Sequence, residues 1–236
     1  LSTIASAIST VIIVDMVKYT KERRYDDALE LFKKVAKTTS YFIFPVMMLF
    51  MVIADPFYEF MYSETMLPAV PVFRVYLLML PIRTVMYGPL MIAMGKSKQV
   101  LFRTIAGLVA NLILSVLLVW WIGTIGATIA TVITLYTVSV PYNLIVIARE
   151  TGVKWISILP LKHFGKCLLL TIPPAAASFV ALYLVAEWPV LPKLIVVSII
   201  YVVIIIPLLY LVFKEDMQAF LKKIFSVILK AARKTK

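Results

Sequence analysis

The sequence predicts an all-α, polytopic transmembrane helical bundle, and three observations carry that prediction. Of the 236 residues, 62% are hydrophobic and only 15% charged, against about 45–50% apolar and about 25% charged in an ordinary soluble domain. Stretches such as Leu194 to Phe213 hold no charged side chain at all, and about 20 consecutive apolar residues in helical form cross the hydrocarbon of a bilayer. The Lys and Arg residues, finally, fall in clusters between these stretches rather than along them.

Taken in order, the chain opens with a helix read as the end of a truncated span, Leu1 to Val14. Complete spans follow near Thr39 to Ala54, Val70 to Met94, Leu101 to Ile122, Ala127 to Ala148, Cys167 to Ala186 and Leu194 to Phe213. The opening LSTIASAISTVIIV lacks the basic start of a signal peptide.

Orientation follows from charge. Except for Lys193, Arg74 and Arg83, all 24 Lys and Arg residues lie on one side of the alternating spans, the side retained in the cytoplasm during insertion. The opposite segments agree: Asp55 to Ala69 carries acids and no base, and Gly123 to Gly126 is an uncharged tight turn. Tyr58, Phe60, Tyr62 and Trp188 suit an outer interfacial belt. The formal net charge of +12 therefore points to the anionic inner leaflet of a lipid bilayer as partner, and not to nucleic acid.

Between the spans, Asp26 to Lys37 repeats Ala28, Leu31, Phe32 and Val35 at helical spacing, with acids ahead of bases as the helix dipole favours. At the C-terminus Met217, Phe220, Leu221, Ile224, Phe225, Ile228 and Leu229 form an apolar stripe opposite Lys222, Lys223, Lys230, Arg233 and Lys234. That pattern is expected of a basic amphipathic helix lying on the inner surface; a calmodulin-type target has a similar composition.

Charges at membrane depth cost at least a few kcal/mol on insertion scales, so they mark a bundle interior, water or a ligand. Arg83 sits midway along its span, between Pro81 and Pro89 with Gly88 close by. Two roles fit it: a structural contact to a counter-charge or to backbone carbonyls, and the binding of an anionic group within an aqueous cavity. A guanidinium suits phosphate because it stays charged and presents a fork of donors. Arg74 lies roughly 14 Å further toward the outside along a helix, where a rim arginine and a ligand contact are both open. Asn111 is a polar group on an apolar helix, placed either for cross-helix hydrogen bonding or as a cavity residue. Prolines 45, 89, 141, 173, 174 and 207 mark spans or their ends and loosen helical hydrogen bonding, as static kinks or as bends in a moving transporter.

No span so drawn contains Asp or Glu, and His163 is assigned to a cytoplasmic loop, so a carboxylate proton relay or sodium site is not expected in this stretch. Cys167, the only cysteine, is read as a small apolar residue of a membrane helix. No Ser/His/Asp set, HExxH or glycine-rich phosphate loop occurs. An enzyme, a cofactor and a metal site are accordingly not expected.

Four pieces in order, YDDALELFKKVAK before a span, VFRVYLLMLPIRT, LMIAMGKSKQVLFRTIAGLVANLIL and the turn IGTIGATIATVIT, make the run from Thr38 to Ala148 resemble polysaccharide flippases of the MOP transporter superfamily, which are Wzx-like and related to MATE exporters. The resemblance implies one partial plus six full spans of the C-terminal lobe of a MATE-like flippase. It divides the chain into a partial lobe (1–148), two additional transmembrane helices (149–213) and the cytoplasmic tail (214–236). It further implies a missing N-terminal lobe, a location in the cytoplasmic membrane, and a lipid-linked oligosaccharide on a polyprenyl pyrophosphate as cargo. Arg83, and less directly Arg74 and Asn111, are then the substrate-binding residues. A MATE-type multidrug or cation exporter, a non-transporting membrane subunit, and a membrane enzyme of lipid-linked sugar metabolism remain as other readings.

Overall fold

A computed structural model describes residues 14–214, and they are helical nearly throughout, with no strand among them. The truncated span, apart from Val14, and the amphipathic tail, apart from Lys214, lie outside the described residues.

After a helical lead-in over residues 14–21, α1 runs from Tyr25 to Tyr62 without a break, 38 residues in all. The amphipathic segment and the first full span, expected as separate pieces, are thus one helix. No Gly or Pro falls between Tyr25 and Phe44 to interrupt it. The hydroxyls of Thr38 and Thr39 donate back to the carbonyls of Lys34 and Val35, each at 2.9 Å, and Ser40 donates to that of Lys37 at 2.6 Å. Residues that cap helices elsewhere therefore turn inward here. Asp26 and Asp27 occupy the first turn, and Arg24 joins Asp27 at 2.7 Å and Glu22 at 3.2 Å. The buried stripe is Ala28, Leu29, Phe32 and Ala36, one step round the helix from the expected one. The outer segment from Asp55 is helical too: it completes α1 as far as Tyr62, and a 3-10 turn follows at Glu64–Ala69.

The span expected at Val70 to Met94 is broken. It comprises α2 (Val70–Leu77), the single turn α3 (Leu80–Arg83) and α4 (Tyr87–Ala93), bent by 42° between its two halves. Pro81 lacks an N–H and cannot continue the ladder. The turn tightens, with Ile82 N–H reaching Met79 and not Leu78. The carbonyl of Leu78 then accepts the Tyr136 hydroxyl at 2.9 Å, so the bend is stitched to a later span.

Helix α5 (Ser97–Ile122) is the most exposed, with no buried residue, and carries Trp120 and Trp121 near its C-terminal end, 82% and 76% exposed. Two glycines make the return possible. Gly123 has φ +72°, open to glycine at little cost, and a Cβ on Gly126 would collide with the Leu118 carbonyl. The next span joins α6 (Ile125–Thr134) to α7 (Val140–Thr151) through a π turn at Leu135–Ser139. A short α8 (Trp155–Ile158) leads to α9 (Leu161–Leu184) and α10 (Val190–Val212).

Five of these helices are long and apolar enough to cross a membrane, six if the bent pair counts as one span. That number matches the six full spans expected. Between helices in lipid, close packing replaces the hydrophobic effect as the source of association, and small residues allow it. On α9 the buried Thr171, Ala175, Ser178 and Ala181 recur every three or four residues, and Ser178 donates to the Val197 carbonyl on α10 at 3.4 Å. Both helices pack on α1 through Tyr41, Phe44, Met47, Cys167, Tyr201 and Ile205. At the cytoplasmic end suggested by charge, Met16, Leu29, Phe32, Tyr87, Leu90, Met91, Leu144, Ile147 and Ile158 form a second core.

Candidate functional site

The structure does not bring Arg83, Arg74 and Asn111 together. Each belongs to a different contact set, and each takes its place from a local feature of the sequence.

Arg83 ends the single turn α3. The break before it and the Pro81 turn carry its side chain to an exposed position, beside the buried Thr84 and Val85. Thr84 donates to the Pro81 carbonyl at 2.6 Å, which tightens the chain immediately after the arginine. Among the described residues the Arg83 guanidinium has no ion-pair or hydrogen-bonding partner.

Arg74 is engaged. Its Nη2 meets Asp55 Oδ2 at 2.5 Å and its Nε donates to the Met51 carbonyl at 3.2 Å, tying α2 to α1. The two side chains are 37% and 57% exposed, as a rim pair near the outer surface would be.

Asn111 donates from Nδ2 to Thr131 Oγ1 at 3.0 Å and accepts from Ser115 at 3.3 Å, while Thr131 donates to the Ala127 carbonyl at 2.9 Å. This bridge fastens α5 to α6 and floors a cleft of about 210 Å³ between them. The lining comprises Arg103, Thr104, Gly107 and Asn111 from α5, and Thr131, Thr134, Leu135 and Ser139 from α6 and the π turn.

Arg103 is a cleft residue that the charge pattern does not single out, because it counts among the many basic residues on one side of the alternating spans. The signal was available: Arg103, Gly107 and Asn111 are spaced by four and share one helix face. In the cleft, Arg103 Nη2 donates to Thr104 at 3.2 Å, whereas its Nε is buried without a partner, as is Thr134 Oγ1.

Two further residues correct the sequence reading. His163 is not in a loop but in the first turn of α9, nearly buried. Its Nε2 lies 3.4 Å from Cys167 Sγ, which is 3.7 Å from Ser40 Oγ, with Tyr41 edge-on to the imidazole at 5.0 Å. Cys167 is therefore part of a polar knot as well as of an apolar helix. It is fully buried, and a thiol closed off in this way has no approach for a substrate. No group of three or more His, Cys, Asp or Glu residues able to hold a metal occurs among the described residues.

Comparison with known proteins bears on the fold at this point. Among solved structures, the chain is similar to a lipid II flippase, MurJ, in its inward closed conformation. The TM-score is 0.66 at 20% identity, over 89% of this chain and 43% of that one. The chain shares the fold of one part of that flippase. It spans less than half of that protein's length. The family described as "Polysaccharide biosynthesis protein" matches residues 1–71, which overlaps the run from Thr38 to Ala148 only in its first third. No curated protein matches the chain.

Proposed function

We propose that the chain supplies one lobe of a flippase that carries a polyprenyl-pyrophosphate-linked oligosaccharide or polysaccharide precursor from the inner to the outer leaflet of the cytoplasmic membrane. The observation that carries this reading is Arg83, an unpaired guanidinium among the described residues, displayed at a break in a span. The fold around it is shared with a lipid II flippase. A fixed positive charge at membrane depth is costly unless it meets water or an anion, and a pyrophosphate offers paired oxygens to the guanidinium fork.

Arg74 shares its charge with Asp55 and reaches a phosphate only when that pair opens. Asn111 holds α5 against α6 and contributes to cargo binding through the shape of the helix pair. The basic segments face the cytoplasm, where the anionic leaflet attracts them. Translocation on this reading needs no bond chemistry, only contacts that differ between inward and outward states, with the sugar crossing in water while the lipid tail stays in the bilayer.

The test is glycan export by the protein carrying both lobes, with membrane levels matched by immunoblot. Arg83→Ala is expected to lower export by at least about tenfold, the scale of a lost charge-assisted contact, and Arg83→Lys to retain part of it. Unchanged export in Arg83→Ala overturns the assignment of Arg83.

A further inference from the structure

The cleft between α5 and α6 holds donors that nothing in the bundle uses. Thr134 is 4% exposed, and its Oγ1 has no partner. A helical threonine ordinarily satisfies its hydroxyl on the preceding turn, as Thr104, Thr131 and Thr137 do here. Arg103 lines the same cleft, and its buried Nε is likewise unpartnered. A buried donor left without an acceptor costs about 1–3 kcal/mol, and no Asp or Glu lines the cleft to supply one.

From these observations we infer that the cleft is a binding site for the phosphate of an anionic membrane phospholipid. Arg103 from α5 and Thr134 from α6 donate to its oxygens, and Ser139 lines the same cleft from the π turn. Depth, space and charge select this occupant. Arg103 lies roughly 9 Å along α5 from Ser97, within reach of headgroups of the leaflet that faces Lys96 and Lys98. The volume of about 210 Å³ leaves room for a phosphate with a small polar headgroup. Alongside, Leu101, Ile105, Leu108, Leu112 and Val116 present an exposed apolar track on which acyl chains can lie. The site is separate from Arg83 and does not depend on the flippase reading.

Phosphatidylglycerol binding to the purified chain is measured by native mass spectrometry in a neutral detergent, with inorganic phosphate and diacylglycerol as competitors. Arg103→Gln and Thr134→Val are each expected to weaken phosphatidylglycerol binding by about tenfold, as loss of a hydrogen bond to a charged group does. Lys98→Gln, which removes a charge outside the cleft, is expected to leave it within about twofold. Arg103→Lys is expected to fall between the wild type and Arg103→Gln, and it serves as the readout if the glutamine variant does not fold. Competition by phosphate but not diacylglycerol supports recognition of the headgroup. Equal binding by Arg103→Gln and the wild type overturns the site, as does an equal loss in Lys98→Gln or competition by diacylglycerol alone. If inorganic phosphate binds as tightly as the lipid, the site is one for free phosphate and the lipid assignment fails.

Discussion

Lys96 Nζ and Glu150 Oε1 meet at 2.6 Å, joining the turn ahead of α5 to the last turn of α7. A second contact lies beside this one, where the Tyr142 hydroxyl donates to Gln99 Oε1 at 2.6 Å. Helix α5 otherwise packs on α6, the π turn and α4, and these two contacts tie down the end that follows Gly95. Both partners of the ion pair are about one-third exposed, which places its worth at about 0.5–1 kcal/mol. A double-mutant cycle with Lys96→Met and Glu150→Gln, read from unfolding in mixed micelles, is expected to return a coupling of that size. It should shrink in high salt.

The Tyr136 hydroxyl is predicted to stabilise the bent span. Tyr136→Phe removes the donor to the Leu78 carbonyl while keeping the ring, and is expected to cost about 0.5–1.5 kcal/mol. The same unfolding assay measures it, and limited proteolysis between Leu77 and Tyr87 should accelerate.

Gly126 and Gly88 should respond in opposite ways to the same added methyl. Gly126→Ala drives a Cβ into the Leu118 carbonyl, and backbone cannot step aside as a side chain can, so a loss of about 1–3 kcal/mol or a failure to accumulate is expected. Gly88→Ala meets nothing within 4 Å and is expected to be neutral or to stabilise by up to about 1 kcal/mol. Thermal stability of the two variants, purified side by side, decides it.

Cys167 provides a probe of the lower bundle without any engineering, since it is the only cysteine and is fully buried. A membrane-permeant maleimide is expected to label the folded chain only at the rate at which α9 separates from α1. Phe44→Ala, which opens the packing around it, should raise that rate by about tenfold or more, in line with the loss of a buried aromatic.

The number of spans was readable from hydropathy alone because a bilayer demands length and apolarity from each crossing helix and little else. Where α1 begins was not. Lys33, Lys34 and Lys37 interrupt the apolar run but not the helix, since lysine is a good helix former. Pro81 and Pro89 announced that the next span would be irregular. The bend is also tied to Tyr136, 58 residues away, a partnership that no local pattern records. The cleft lies between these cases. Arg103 and Asn111 share a face by spacing, yet a charge near a turn reads as loop until the opposing helix puts Thr134 and Ser139 across from it.

The π turn at Leu135–Ser139 gives its span a ratchet tooth. The Val140 amide reaches Leu135, five residues back, so the backbone there stores one residue more than the axial rise consumes. Each residue of an α-helix turns it by about 100°. Loss of one residue inside the tooth therefore relaxes it to ordinary winding and leaves Asn143, Leu144 and Ile147 facing the interior as before. The same loss anywhere in α7 ahead of those residues would swing them toward lipid. This crossing is thus a place where length can change by a single residue without altering what the rest of the helix touches.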